Sequence, residues 1–121
     1  MARYRLTAAA EADILDLLAW SQMRFGEGAR RRYERLIATA LRDISAAPEL
    51  PGSAARPELG EGVRTWHLRG SRERARGADG VVHRPRHFLI YRPGGPDRIV
   101  VGRVLHDAME LERHLQSGDW A

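Results

Sequence analysis

The chain contains no cysteine and no lysine. Without cysteine there are no disulfides, no thiolate metal ligands and no thiol nucleophile. Without lysine there is no ammonium base and no Schiff-base amine, and all 20 basic residues are arginine. GC-rich coding is one source of that bias, but its physical consequence holds regardless: every basic site is a permanently charged planar fork suited to carboxylate or phosphate. No apolar run approaches the roughly 20 residues that a membrane-spanning helix needs. The first residues, Met1 to Thr7, lack the apolar stretch of a secretory signal, so a cytoplasmic protein is expected. Histidine–carboxylate spacing of the His-Glu-x-x-His kind, a Gly-x-Ser-x-Gly elbow and a phosphate-binding glycine loop do not occur, so neither a metal nor a cofactor is expected.

The 121 residues fit one domain, taken as 1–121, with room for a single core. A formal charge of +4 and an isoelectric point near 10.5 favour an anionic partner, either nucleic acid or an acidic protein segment.

Arg3-Tyr4-Arg5-Leu6 alternates as a short strand, and Thr7 is placed to cap an alanine-rich helix with Glu11 and Asp13 near its positive end. Ala10, Ile14, Leu17, Leu18, Ser21 and Phe25 share one face of that helix, which ends at Gly26. After Gly28 a second helix carries Ala29, Tyr33, Leu36, Ile37, Ala40, Leu41 and Ile44 on one face, and Pro48 closes it. So short a glycine connection predicts an antiparallel helical hairpin. Residues 48–62, with three prolines, read as loop, and Val63 to Leu68 reads as strand. Gly70 to Arg86 has no usable periodicity and reads as an exposed, mobile excursion.

His87 to Arg92 and Arg98 to Leu105 are β-branched-rich runs flanking Pro93-Gly94-Gly95-Pro96-Asp97, a hairpin signal. Both runs are apolar at successive positions, so both sheet faces should be covered. Asp107 with Glu110 three residues on fits a capping box for a short final helix. The sum is an α+β domain: an N-terminal strand, a helical hairpin packed on a small, mainly antiparallel sheet, and a short C-terminal helix. Ile14, Leu17, Tyr33, Ile37, Leu41, Leu89, Val101 and Leu105 are the expected core. Trp20 and Trp66 are expected as core aromatics, and Trp120 as either disordered or packed on a partner.

Arg64, Arg69, Arg72, Arg74, Arg76, Arg84, Arg86 and Arg92, with His67, His83 and His87 among them, make the densest basic stretch. Two readings apply. It is an anion-binding face, or it is a solvated set of charges; the second suits Arg72 to Arg84, and the first suits Arg64, Arg69, Arg86 and Arg92 in or beside strands. His106, with Arg103 three residues before it, is either a general base near neutral pH or a hydrogen-bonding brace for the strand–helix junction. His67 and His114 fit ordinary surface or satisfied core positions better than chemistry.

Tyr91-Arg92 at a strand end and the string Arg103-Val104-Leu105-His106-Asp107-Ala108-Met109 resemble the carboxyl end of ParE-type toxins of the ParE/RelE superfamily, whose element order matches roughly Arg3 to Leu115. The resemblance implies a type II toxin that poisons DNA gyrase by binding, without being an enzyme. It also implies neutralisation by a cognate antitoxin whose acidic tail would meet Arg64, Arg69, Arg86, Arg92, Arg103 and His106. The alternative on the same fold is a RelE-like, metal-independent endonuclease acting on mRNA at the ribosome, for which His106, Arg103, Tyr91, Arg64 and Arg86, with Arg69, are the available groups. A third reading is a non-toxic member that retains only antitoxin binding.

Overall fold

A computed structural model describes residues 3–121. Strand β1 (Arg3–Leu6) leads into helix α1 (Ala8–Phe25), and Gly26 alone separates it from α2 (Glu27–Ala46). Then come the two-residue strand β2 (Ala54–Ala55), β3 (Arg64–His67), β4 (His87–Pro93), β5 (Arg98–His106) and the short helix α3 (Leu111–His114). The sheet order is β1-β5-β4-β3-β2, with β1 parallel to β5 and every other pair antiparallel. The expected α+β architecture, helical hairpin included, is what the chain adopts.

Thr7 starts α1 as expected. Its hydroxyl accepts the Ala10 N–H at 3.1 Å and donates to the Gly102 carbonyl at 2.9 Å, so one side chain caps the helix and fastens it to β5. Gly26 ends α1 at a φ of 92°, a conformation that costs glycine little, and α2 begins immediately after it. The second helix therefore starts two residues earlier than its apolar period suggested.

The two faces of the sheet are both covered. On the helical side Leu17, Leu36, Ile37, Leu41, Ile44, Trp66, Leu89, Tyr91 and Val101 form the main core, and Ile14 and Tyr33 are only half-buried against it. On the other face Val63, Ile90, Leu105 and Leu111 form a second cluster, closed by Leu59, Phe88, Leu115 and Trp120. Leu105 is thus buried, but in the second cluster. Opposite the Ile90–Tyr91 step the ladder shifts register at Gly102. A Cβ on Gly102 would lie 2.8 Å from the Trp120 ring, so glycine there is what lets Trp120 lie flat on the sheet.

Several expectations are corrected. Trp20 and Phe25 are exposed, at 51% and 64%: Trp20 lies off the buried row Leu17, Leu18 and Ser21, and Phe25 sits in a final turn that runs on past the core. Trp120 packs within the chain, neither disordered nor waiting for a partner. Residues 48–62 hold β2 and a 3-10 turn at Pro57–Leu59, and β3 is shorter than Val63 to Leu68. Gly70 to Arg86 is tied down along its length. Trp66 Nε1 donates to Ser71, Ser71 donates to Asp43 of α2, and Arg74 reaches the same carboxylate. Farther on, Arg35 of α2 donates to the Ala75 and Gly80 carbonyls and pairs with Asp79, while Ala75, Val81 and Pro85 are buried. The segment is held by one acceptor and one donor from α2, Asp43 and Arg35, which local periodicity does not display.

Gly70 gives a sharp test of this anchoring. A Cβ there would overlap the Trp66 ring, whereas one on Gly118 would meet nothing within 4 Å. Gly70→Ala is expected to cost about 1–3 kcal/mol by forcing the buried ring aside, with Gly118→Ala close to neutral. Denaturant midpoints of the two variants check it.

Candidate functional site: a histidine–arginine cluster at the end of the central hairpin

Pairing of β4 with β5 places His87 opposite His106, and pairing with β3 places Phe88 opposite His67. The three histidines therefore meet at one end of the sheet, where the chain leaves β5 through Asp107. The rings of His87 and His106 stand edge to face, with centroids 5.3 Å apart.

Hydrogen bonds assign the proton on each ring. The His67 Nδ1 accepts the Arg69 N–H at 3.1 Å, so its Nε2–H donates to Asp107 at 2.9 Å. Burial pushes His67 below its ordinary pKa, outweighing the opposing pull of Asp107, which keeps the ring neutral. The Tyr33 hydroxyl accepts the Arg86 N–H at 3.1 Å and donates to His87 Nδ1 at 2.6 Å. Burial pushes Tyr33 up to about 12 and holds it as a phenol. Burial, reinforced by neighbouring His106, pushes His87 down to about 4. His106 Nδ1 accepts the Ala108 N–H at 3.0 Å, so the half-buried ring braces the strand–helix junction. That is the bracing role, and it occupies the nitrogen a general base would have used.

Asp107 joins the groups. Its carboxylate accepts from Arg86 Nε and Nη2 at 3.0 and 2.8 Å as well as from His67, and the Arg86 hydrogen bonds hold it well below the usual carboxylate range. The expected capping box is absent for this reason: Asp107 is committed to Arg86 and His67, and α3 starts at Glu110 with no side-chain cap. A groove of about 400 Å³ opens beside the cluster between α1 and β5, lined by Asp16, Trp20, His87, Arg103, His106 and Met109 among others.

Arg103 crosses this groove as a structural tie. Its Nε and Nη2 reach both oxygens of Asp13 at 2.7 and 3.0 Å, and its Nη1 donates to the His114 carbonyl and to Asp119. Four of its five N–H groups are engaged in this way, so the side chain ties α1 and the tail to β5. In the sequence Asp13 stands out only by its place near the start of α1, and nothing local marks this pairing with a residue 90 positions away.

The remaining candidates lie elsewhere. Tyr91 is 1% exposed and donates its hydroxyl to the Pro48 carbonyl. Arg64, its cross-strand neighbour, donates to Ser53 at 2.7 Å. At about 3.3 Å per residue, the four steps of β4 from His87 to Tyr91 separate these two from His106 by roughly 13 Å. The five residues proposed for an endonuclease therefore do not converge. Nor do the arginines form one groove: Arg69 and Arg86 flank the histidine end, while Arg64 and Arg92 lie at the turn end. There Arg92 stacks on Trp120, 4.2 Å from the ring centre. Among the described residues no cluster of three or more metal-ligating side chains occurs, and no helix is long and apolar enough to cross a membrane.

The neutral histidines imply an acid-sensitive fold. Unfolded, His87 titrates at 6.5, and folded it titrates near 4. Between those values the unfolded chain binds a proton that the native state excludes, so stability falls as the pH drops through that window; His67 acts in the same direction. Going from pH 7 to about pH 4.5 should cost about 1–3 kcal/mol, measured by urea denaturation. His87→Gln, which preserves an acceptor for Tyr33, should flatten the dependence. Asp107 is shifted down, so its contribution persists until the pH falls below the carboxylate range.

Comparison with known proteins agrees with this architecture. No curated protein matches the sequence. A solved structure, the "Chromosomal ParDE TA system from P. aeruginosa", superposes with a TM-score of 0.62 over 88% of this chain and 96% of that one, at 18% identity, a likeness of fold alone. Residues 4–111 match the family model described as "ParE toxin of type II toxin-antitoxin system, parDE". With nearly the whole α+β domain inside that match, the chain belongs to the ParE toxin family of type II toxin–antitoxin systems.

Proposed function

We propose that the protein arrests growth by binding DNA gyrase in the cytoplasm and holding it on cleaved DNA, and that a cognate antitoxin neutralises it. The observation that carries this reading is the family match across residues 4–111, which includes the Arg103–Met109 junction. On this reading the toxin acts by binding and is not an enzyme. The endonuclease alternative has weaker support. Arg103 has four of its five N–H groups on Asp13, Asp119 and the His114 carbonyl, Tyr91 is buried, and His106 Nδ1 is held by the Ala108 N–H. Purified protein is expected to inhibit gyrase supercoiling and accumulate cleaved DNA while leaving ribosome-bound mRNA intact. Codon-dependent mRNA cleavage with unaffected gyrase would reverse the two readings, and inactivity in both assays would favour the non-toxic one.

For the antitoxin, the chemistry favours an acidic segment. Arg69 is exposed and has no carboxylate within ion-pair distance among the described residues, and Arg92 is braced on Trp120 with its fork available. Arg64 and Arg86 complete the set, each already held in place by a neighbour. Replacing a guanidinium that clamps a desolvated carboxylate costs about 2–5 kcal/mol, whereas a rim charge changes mainly the association rate. Alanine variants at 64, 69, 86 and 92 should therefore weaken antitoxin binding more than those at Arg72, Arg74 and Arg76. Calorimetry at two salt concentrations measures it, and the reverse order would place the binding surface elsewhere.

A further inference from the structure

Helix α1 is apolar on its outward side as well as its inward one. Leu15, Trp20, Met23 and Phe25 are 69, 51, 81 and 64% exposed, which makes α1 the main site of exposed large apolar side chains among the described residues. Leu15, Trp20 and Met23 fall on two neighbouring ridges of the helix at four-residue spacing, Leu15–Ala19–Met23 and Asp16–Trp20–Arg24. The small Ala19 between the bulky ends of the first ridge leaves a notch on the outer surface.

The second ridge reads acid, aromatic, base. Asp16 and Arg24 each stand four residues from Trp20, on opposite sides, and neither has an ion-pair partner among the described residues. Reversed end for end, that row is complementary to itself. Trp20 is also held in position. Phe25 packs edge to face on it with centroids 5.6 Å apart, and Arg24 lies 5.8 Å from its ring centre. A rigid, half-exposed tryptophan between unlike charges is the anchor that protein interfaces favour.

We propose that this face of α1 binds a second copy of the same chain, the two helices running antiparallel about a two-fold axis at Trp20. The symmetry fixes the contacts. Trp20 meets Trp20 of the second copy, and Asp16 of each copy meets Arg24 of the other, giving two ion pairs from one sequence feature. Ala19 lets the helices approach, and Leu15 and Met23 lose their exposure along the same seam. An isologous interface of this kind runs along α1 beside the groove that Asp16 and Trp20 line, and it leaves the face of the sheet that bears Arg92 free.

The test is charge reversal read by analytical ultracentrifugation. The purified chain should sediment as a dimer at micromolar concentration. Asp16→Arg and Arg24→Asp each set like charges against one another twice per dimer, so each should weaken association at least about tenfold. The double variant Asp16→Arg/Arg24→Asp restores both pairs and should dimerise like the parent. An equimolar mixture of the two single variants should form mixed dimers for the same reason. These positions are exposed, so far-ultraviolet circular dichroism should be unchanged throughout. A parent chain that stays monomeric overturns the proposal, as do dimers that ignore the single reversals or a double variant that remains monomeric. A monomer whose Trp20 fluorescence shifts only when antitoxin is added would overturn it in favour of the antitoxin as occupant of this face. Sedimentation reads association directly and so stands apart from any gyrase assay, and Arg24→Asp, unlike Asp16→Arg, changes no residue that lines the groove beside the histidine cluster.

Discussion

One carboxylate, that of Asp13, holds three parts of this fold together. Strand β1 ends at Leu6, and among the described residues no strand neighbours the outer edge of β5 from Gly102 onward. Unpaired backbone groups on such an edge either face water or find side-chain partners. Thr7 takes the Gly102 carbonyl, and Asp13 takes the Val104 N–H at 2.9 Å. The same carboxylate clamps Arg103, whose other donors hold the His114 carbonyl and Asp119 of the C-terminal tail. Helix docking, edge closure and tail docking therefore share one side chain. Its loss would leave a guanidinium that is only 21% exposed with unmatched donors, a cost on the order of 3 kcal/mol.

That arrangement explains which parts of the fold were legible in the sequence. The strand–helix–helix–strand order followed from local signals, because Thr7, Gly26 and the Gly94-Gly95 turn act within a few residues of themselves. Covering of both sheet faces was legible too, since β4 and β5 are apolar at successive positions. The orientation of α1 was harder to read. Its apolar residues fill more than one face, and periodicity alone cannot say that Leu17 and Leu18 point inward while Trp20 and Phe25 do not. The loop from Gly70 to Arg86 was opaque for a different reason. Its restraints come from Arg35 and Asp43, which lie 40 and 28 residues away from the groups they hold.

The candidate site divides along the same line. His106 and Arg86 could be picked out locally, as strand-end residues in a basic stretch, and they do lie together. Their chemistry could not, because it depends on Asp107, Tyr33 and His87 arriving from separate elements. Asp107 reads locally as a helix cap, yet two charge-assisted bonds from Arg86 and one from His67 outcompete backbone N–H groups for its oxygens. Arg103 reads locally as a functional cation within the most family-specific string. Its function in the fold is to satisfy Asp13, which stands 90 residues earlier.

An arginine-only basic set matters more inside the molecule than its net charge suggests. Arg103 directs donors along three edges of one plane, and Arg86 covers both oxygens of Asp107; a lysine ammonium has neither the reach nor the fixed fork for either task. Much of the positive charge is therefore spent on internal geometry: Arg35 and Arg74 on the long loop, Arg86 on the histidine cluster, Arg103 on the tail. What remains for partners are the guanidinium groups with no hydrogen-bonded acceptor among the described residues, which include Arg69 and Arg92 beside the sheet, Arg84 on the long loop, Arg98 at the hairpin turn and Arg24 on α1. Arg92 stacks on Trp120 over the sheet and Arg24 lies against Trp20 on α1, so a ligand that covers the arginine of the sheet need not compete with one that covers α1.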